Sequence, residues 1–289
     1  MEGSNFRHAY LIMAHNNFGQ LQTLLSLLDD ERNDIYLHID RKSLDFSPEM
    51  VRTTRSRLIL IDRLGVYWGG HSQIQCELAL LKAAVPGHYR YYHLLSGVDL
   101  PLKTQDEIHR FFREQDGKEF LEFDEAANEE RSFAFRCCYY HPLQNFAGSS
   151  RRLFHRALRA ANWGIMLIQK WLRLTRPEIV PLYKGANWFS ITHELASYVL
   201  SREKLIRKQF FYSWCTDEIF LQSIAMASPY RKNVVNNYLR AIDWQRGDPY
   251  TYRREDVPEL LASPNFWGRK FNENVDKEAI DLVVQHLTK

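Results

Sequence analysis

The residues best suited to chemistry are two adjacent acids, Asp217 and Glu218, in the stretch from Trp214 to Ile224. Thr216 is a residue type that caps helices, and the apolar residues after Glu218 predict a buried helix. Acids in the first turn of a helix are held rigidly, and the helix dipole favours their ionised form. A carboxylate in that setting is suited to act as a general base. An ordinary helix start has the same pattern, so this stretch alone leaves both interpretations open.

The composition is that of a globular protein with a substantial core. The chain has 289 residues, of which 45% are hydrophobic and 25% charged, and this length allows one large α/β domain or two smaller ones. The net charge of +3 is too small to indicate a nucleic-acid-binding protein. The four cysteines follow neither a metal-binding spacing nor a disulfide framework. We expect reduced thiols, no metal site and no nucleic-acid partner.

The sequence shows no feature of secretion or membrane insertion. No apolar run precedes the first strand-like run, which begins at Ala9. The longest uncharged apolar run in the middle of the chain, from Ala160 to Gln169, is too short to span a bilayer. We therefore expect a soluble protein in the cytoplasm.

Strand and helix patterns alternate from the N-terminus. The apolar run Ala9–Ala14 predicts a buried strand, Gln20–Leu28 has leucines at helical spacing, and Ile35–Ile39 predicts a second strand. Such a βαβ unit indicates a parallel sheet, in which ligands bind beyond the carboxyl ends of the strands. No glycine-rich phosphate loop is present, which argues against a dinucleotide site. The polar residues expected at three strand ends are His15, Asp40 and Asp99.

A basic segment occupies the middle of the chain. From Arg131 to Arg176 it contains Lys and Arg but no Asp or Glu. An apolar stripe in it predicts a basic helix packed on the body, and the alternative is a helix that binds an anionic membrane surface or acceptor. We expect one domain over residues 1–289, with a basic helical insertion at about 146–177. The apolar stripe comprises Leu153, Ala157, Ala161, Ile165, Ile168 and Leu172.

The residues also meet the needs of a sugar-nucleotide transferase, which requires cations for the departing diphosphate and a base for the acceptor hydroxyl. Metal-dependent members of this class usually carry an Asp-x-Asp pair, and this chain has none. The nearest substitutes, Glu122-Phe123-Asp124 and His38-Ile39-Asp40, match the alternation of a strand better than a metal site. Arg and Lys can stabilise phosphate charge without a metal.

Seven segments follow one another along nearly the whole chain: Ala9–Asn16, Leu37–Ser43, Leu95–Thr104, Gly185–Thr192, Thr216–Glu218, Leu239–Trp244 and Gly268–Phe271. Together, and in this order, they resemble glycosyltransferase family 14. That family contains the core-2/I-branching β-1,6-N-acetylglucosaminyltransferases and the peptide O-xylosyltransferases.

The resemblance implies a GT-A-type α/β fold with a mostly parallel central sheet flanked by helices. It implies inverting, metal-independent transfer from a UDP-sugar to a hydroxyl of a glycan, polysaccharide or lipid-linked acceptor, with no cofactor. N-acetylglucosamine, β-linked, is the sugar we expect, and xylose is the alternative.

The resemblance also implies roles for individual residues. Glu218 matches the catalytic base, and Lys270 matches the lysine that holds the donor diphosphate, with Arg269 beside it. Spacing suggests Arg246 as a second diphosphate-binding residue, with Arg253 and Arg254 as alternatives. The remaining matches are His15 and Asp40 for uridine, Asp99 for the lining of the donor cleft, and Glu122 and Trp188 for the acceptor.

Three other features of the sequence help to predict where the protein acts and whether it is an enzyme or a binding protein. The chain lacks the anchor, stem and disulfide cysteines of the animal members, which favours a cytoplasmic, microbial enzyme with peripheral contact to an anionic membrane as a further option. A carbohydrate- or nucleotide-binding protein on the same fold would not need a base, so Glu218 together with Arg269 and Lys270 favours an enzyme. The basic segment lacks a recognised nucleic-acid-binding motif.

Overall fold

The computed structural model describes residues 6–147 and 153–288. Its strands and helices, in chain order, are β1 His8–Ala14, α1 Phe18–Leu28, β2 Asn33–Ile39, β3 Arg57–Leu60, α2 Ser72–Ala84, β4 Tyr91–Ser96, β5 Leu100–Pro101, α3 Gln105–Glu114, β6 Glu119–Leu121, α4 Glu125–Glu130, α5 Phe135–Cys138, α6 Gln144–Ala147, α7 Leu153–Trp171, β7 Phe189–Thr192, α8 His193–Ser201, α9 Glu203–Phe210, α10 Phe220–Met226, β8 Val234–Asn236, β9 Arg240–Ile242, α11 Val257–Ala262, β10 Trp267–Arg269 and α12 Lys277–Leu287.

The chain divides into two compact units. Unit 1 comprises the described residues of Met1–Arg63, Gly87–Gly117 and Tyr238–Lys289, and unit 2 comprises those of Leu64–Pro86 and Lys118–Asn237. The single domain over residues 1–289 stays a prediction. Within the basic insertion expected at about 146–177, residues 148–152, including Arg151 and Arg152, lie outside the described residues.

Unit 1 is built on four parallel strands in the order β3-β2-β1-β4. Strands covered on both faces have continuous apolar sequences, and the side chains of residues 9–12 in β1 are accordingly fully buried. Helix α1 connects β1 to β2 and buries Leu21, Leu24 and Leu25. The predicted βαβ unit and its parallel sheet are confirmed.

A second, three-stranded sheet in unit 1 has the order β5-β10-β9. Strand β10 is antiparallel to β5 and parallel to β9, with Trp267 opposite Pro101 and Arg240. Just after β10, the amide of Phe271 donates to the carbonyl of Val98 at 3.0 Å. This pairing holds the residues that follow β10 beside the loop between β4 and β5.

Unit 2 contains three strands in the order β7-β6-β8, with β6 antiparallel to β7 and parallel to β8. The Thr192 hydroxyl accepts the amide of Leu195, which caps α8. The Thr192 amide donates to the carboxylate of buried Glu119 at 2.8 Å. Helices α2 and α4 to α10 belong to this unit. With its mostly parallel strand pairing and its helices, the chain has the α/β class predicted from the sequence.

The face of α7 that is buried is opposite to the face predicted to be buried. The apolar stripe expected to pack on the body is largely exposed to solvent, with Leu153 at 80% and Ile168 at 58% exposure. The buried residues of the helix are Asn162, Met166 and Gln169. In the part of the chain that the structure describes, no helix is both long and apolar enough to cross a membrane.

Hydrogen bonds explain why polar residues of α7 are the buried ones. Asn162 Nδ2 lies 2.9 Å from Nδ1 of His141. The side-chain amide of Gln169 accepts from the backbone N–H of Tyr140 at 2.8 Å and donates to its carbonyl at 2.9 Å. Because these groups have partners inside the protein, burying them costs little. Hydrophobic periodicity alone therefore gave the wrong packing face.

Candidate functional site

Polar residues gather at the carboxyl ends of β1 and β2 in unit 1, as expected. The amide of Asp40 donates to the carbonyl of Ala14 at 2.9 Å, which places the end of β2 beside that of β1. The Asp40 carboxylate lies 3.4 Å from Nζ of Lys42. Partial burial lowers the pKa of His15, while the nearby Asp40 carboxylate opposes that shift. His15 and Asp40, the two residues expected to contact uridine, therefore lie close together.

Asp99 and Arg269 form an ion pair in the same unit. Nη1 of Arg269 lies 2.8 Å from Oδ1 of Asp99, whose side chain is only 1% exposed. The other oxygen of Asp99 accepts the amide of Ser96 at 2.8 Å. Arg269 also contributes to the lowered pKa of His15. The end of β10 thus brings a cation to the strand ends that carry His15 and Asp99.

Lys270 and Arg246 are linked through Tyr250. The amide of Lys270 lies 3.5 Å from the carbonyl oxygen of Tyr250, and the guanidinium of Arg246 lies 4.0 Å from the centre of the Tyr250 ring. Arg246 is also paired with Asp243 and, at 2.7 Å, with Asp256. Two residues expected to bind the donor diphosphate therefore both contact Tyr250, and the guanidinium of Arg246 is already held by carboxylates.

The two alternatives to Arg246 are engaged with α12 and the loop before it. Nη1 of Arg253 donates to the carbonyl of Val275 at 2.9 Å. Arg254 pairs with Glu278 at 3.0 Å on the protein surface. All three arginines therefore have partners, and Arg246 stays the prediction for the second diphosphate contact, with Arg253 and Arg254 as alternatives.

In unit 2, Asp217 and Glu218 lie in a turn rather than in the first turn of a helix. Helix α10 begins only at Phe220, and none of the described side chains caps it. The carbonyl of Thr216 accepts the amides of Ile219 at 3.1 Å and Phe220 at 2.9 Å. The predicted helix start at Thr216 was therefore wrong. These backbone hydrogen bonds form the tight turn that positions the two acids.

Glu218 is a partly exposed carboxylate held by an arginine. Its Oε2 accepts from Nη1 of Arg136 at 2.9 Å, with side-chain exposures of 22% for Arg136 and 41% for Glu218. Nη1 of Arg136 also donates to the carbonyl of Cys215 at 3.3 Å. Sequence reasoning missed Arg136, because 82 positions separate the pair and Arg136 is one of many basic residues in its segment.

Asp217 has a different environment from its neighbour. Its side chain is buried, and Oδ2 accepts from the Gln73 side chain at 2.8 Å. Gln73 in turn accepts the amide of Gly69 at 2.6 Å. Burial, together with the charge of Glu218, raises the pKa of Asp217 to about 7. The two acids therefore differ in access to solvent, and nothing in the sequence pointed to Gln73.

Gly185 joins Glu218 to Glu122. Its amide donates to the backbone carbonyl of Glu218 at 2.9 Å. A Cβ at this position would lie 1.7 Å from the carbonyl oxygen of Glu122, so only glycine allows this approach. Burial raises the pKa of Glu122, and the negative charges of Asp124 and Glu218 add to the shift. The residue expected to contact the acceptor is thus near the expected base.

Trp188 lies just before β7 in unit 2 and is only 8% exposed. Little of its ring surface is accessible to an acceptor, and its role stays a prediction. The candidates therefore divide between the units: those for the base and the acceptor belong to unit 2, and those for the donor belong to unit 1.

Comparison with known proteins adds independent information. The model of the Core-2/I-Branching enzyme family matches residues 8–263. Xylosyltransferase 2 of Canis lupus familiaris is 24% identical over 99% of this chain and 34% of that protein. A human β-1,3-galactosyl-O-glycosyl-glycoprotein β-1,6-N-acetylglucosaminyltransferase is 23% identical over 99% of this chain and 71% of that protein. The chain thus spans about a third of the length of the xylosyltransferase.

Proposed function

Since the chain belongs to the Core-2/I-Branching enzyme family, we propose that it transfers a sugar from a UDP-sugar to a hydroxyl group of a glycan or glycoconjugate. Similarity to both a xylosyltransferase and an N-acetylglucosaminyltransferase supports glycosyl transfer as the reaction. We further propose a GT-A-type fold and inversion at the anomeric carbon.

The observation that carries this proposal is the environment of Glu218. A general base must be reachable by the substrate and held in one orientation. Glu218 is 41% exposed, its carboxylate contacts Arg136, and its backbone accepts the amide of Gly185. In the proposed reaction Glu218 takes the proton of the acceptor hydroxyl while the oxygen bonds to the anomeric carbon. The bond from that carbon to the diphosphate breaks, and UDP leaves with the electron pair.

Unit 1 supplies the groups proposed to bind the donor. Lys270 and Arg246 would neutralise the diphosphate, because charge-assisted hydrogen bonds to phosphate stabilise the negative charge that develops as UDP leaves. Arg246 must then exchange part of its contact with Asp243 and Asp256 for the phosphate oxygens. His15 and Asp40 would contact uridine. With cations in this role, the reaction needs no metal ion.

The donor sugar has two candidates. We propose UDP-N-acetylglucosamine first, in accordance with the motifs that resemble the branching enzymes. UDP-xylose is the second candidate, because proteins named xylosyltransferase 2 and xylosyltransferase 1 match over 99% and 97% of this chain. Identities of 24% and 23% to the two kinds of relative do not separate them.

The test is UDP release by the purified chain. Each of several UDP-sugars is incubated with a panel of glycan acceptors, and UDP formed with acceptor is compared with UDP formed without it. We expect acceptor-dependent release with one of the two candidate donors, and a β-configured product by NMR. UDP binding without acceptor-dependent release or product from any donor would instead support a nucleotide-binding protein that lacks turnover.

A further inference from the structure

The outward face of α7 is apolar along the whole helix. Trp171 and Leu153, at its two ends, are 81% and 80% exposed. The small residues Ala157, Ala160 and Ala161 between them are exposed as well. At 1.5 Å per residue, the helix of 19 residues is about 28 Å long. The large side chains of this face are Leu153, Phe154, Leu167, Ile168, Trp171 and Leu172.

This arrangement reverses the usual one, in which a surface helix turns apolar residues inward. Here Asn162 and Gln169 are buried and hydrogen-bonded within the protein, Asn162 through Nδ2 and Gln169 through its side-chain amide, while the apolar residues face solvent. Monomeric soluble proteins rarely expose large contiguous apolar patches. Where such a patch occurs, it usually marks a site that binds a protein, a membrane or a ligand. The outer face of α7 is therefore expected to bind an apolar surface, either of another protein molecule or of a lipid membrane.

Charge decides which partner suits the face best. Arg156, Lys170 and Arg173 are exposed on or next to the helix, and no acid occurs between Arg131 and Arg176. Arg156 and Lys170 are 14 residues apart, close to four helical turns, so they flank the apolar face on one side. A second copy seated on this face would bring like charges together, whereas anionic lipid headgroups complement them.

We propose that α7 lies in the plane of an anionic phospholipid membrane, with its apolar face in the boundary between headgroups and acyl chains. Trp171 and Leu167 enter this boundary, and Arg156 and Lys170 contact the headgroups. The binding is peripheral and goes beyond the proposed transfer reaction, because it requires neither Glu218 nor a donor sugar.

Sedimentation with lipid vesicles tests the proposal. The chain is mixed at low salt with vesicles of phosphatidylcholine alone or of phosphatidylcholine with phosphatidylglycerol. We expect partition to the anionic vesicles only, weakening as salt screens the charges. Trp171→Ser should lower the partition coefficient by roughly tenfold or more, and Lys170→Gln by about fivefold.

Two control variants test whether a loss of binding is specific to α7 or follows from the removal of any exposed apolar or charged side chain. Leu44→Ser removes an apolar side chain that is 91% exposed in unit 1, and Lys204→Gln removes an exposed charge on α9. Both should bind vesicles like the parent chain, and circular dichroism should show all four variants folded. The proposal is overturned if the parent chain ignores anionic vesicles, or if Trp171→Ser binds as well as Leu44→Ser. A third outcome points to a second copy of the chain as the partner of α7. In that case the parent chain does not bind vesicles but forms a concentration-dependent dimer, and Trp171→Ser abolishes the dimer.

Discussion

Arg136 and Glu218 form an ion pair in unit 2, with Nη1 of the arginine 2.9 Å from Oε2 of the glutamate. The contact fixes the orientation of one carboxylate oxygen. It also makes Glu218 the member of the adjacent acid pair that is both held and partly exposed, since Asp217 is buried. This difference is the basis on which we propose separate roles for the two neighbouring acids.

The first prediction concerns Glu218→Gln. Glutamine keeps the shape of the side chain and can still hydrogen-bond, but it cannot take a proton. Turnover, measured as acceptor-dependent UDP release, should therefore fall by roughly 10²- to 10⁴-fold. UDP affinity, measured by calorimetry, should change little, because the proposed diphosphate contacts are made by other residues, Lys270 and Arg246.

Asp217→Asn is the control for that variant. Its carboxyl is buried and accepts from Gln73, an interaction that an asparagine carbonyl can retain, so turnover should fall less. An inactive Asp217→Asn beside a nearly normal Glu218→Gln would reverse our assignment. Activity in both variants would make Glu122 the next candidate for the base.

The second prediction concerns Lys270→Ala. If Lys270 contacts the donor diphosphate, the variant loses one charge-assisted hydrogen bond, worth about 1.5–3 kcal/mol. The Kd for UDP in calorimetry should then rise roughly 10- to 150-fold. Lys277→Ala, at the exposed start of α12, removes the same charge and should leave the Kd unchanged. Equal affinities in the two folded variants would exclude Lys270 from the donor site.

The third prediction is that transfer persists in EDTA. The sequence has no Asp-x-Asp pair, and we assign the neutralisation of the diphosphate to Lys270 and Arg246. UDP release should therefore be equal with and without chelator, and added manganese or magnesium should not raise it. Loss of activity in EDTA, with recovery on adding one of these cations, would show that the reaction requires a metal.

The fourth prediction compares two glycines. Gly185→Ala should destabilise the fold by about 1–3 kcal/mol, because its Cβ would collide with the carbonyl of Glu122 at 1.7 Å. The Cβ added by Gly164→Ala, in α7, would meet no atom of residues 6–147 or 153–288 within 4 Å, and the variant should stabilise the helix by about 0.5–1 kcal/mol. Urea denaturation followed by circular dichroism measures both. A Gly185→Ala protein as stable as the parent would mean that unit 2 relaxes easily around this contact.

The fifth prediction is a loss of stability in acid from three buried histidines of unit 1. His8 Nδ1 lies 3.1 Å from Nε2 of His93, and the His8 ring stacks on that of His109 at 4.0 Å. Burial lowers the pKa of His8 and His93 well below the usual value, and that of His109 to about 4. In the unfolded chain all three protonate near pH 6.5.

The unfolded state therefore binds more protons below pH 6.5, and stability falls as the pH decreases from there towards 4. Each histidine can contribute up to about 1.4 kcal/mol per pH unit. Urea denaturation at several pH values should give a shallower dependence for His109→Gln than for the parent chain. His286→Gln, at an exposed position in α12, should keep the parent's dependence. An unchanged slope for His109→Gln would exclude that histidine as a source.

Much of the architecture could be predicted from local sequence patterns. The apolar run of β1 and the leucines of α1 form as expected, because hydrophobic periodicity depends on residues close together in the chain. The positions of His15, Asp40 and Asp99 at strand ends follow from the same patterns and from the parallel order of the strands.

Contacts between distant segments could be found only in the tertiary structure. Arg136 and Gln73 contact the two acids from separate helices, and no local spacing selects them from other arginines and glutamines. The packed face of α7 was likewise set by hydrogen bonds of Asn162 and Gln169 to a preceding segment. Hydrophobic periodicity records which residues of a helix share a face, whereas the partners available in the folded chain decide which face is buried.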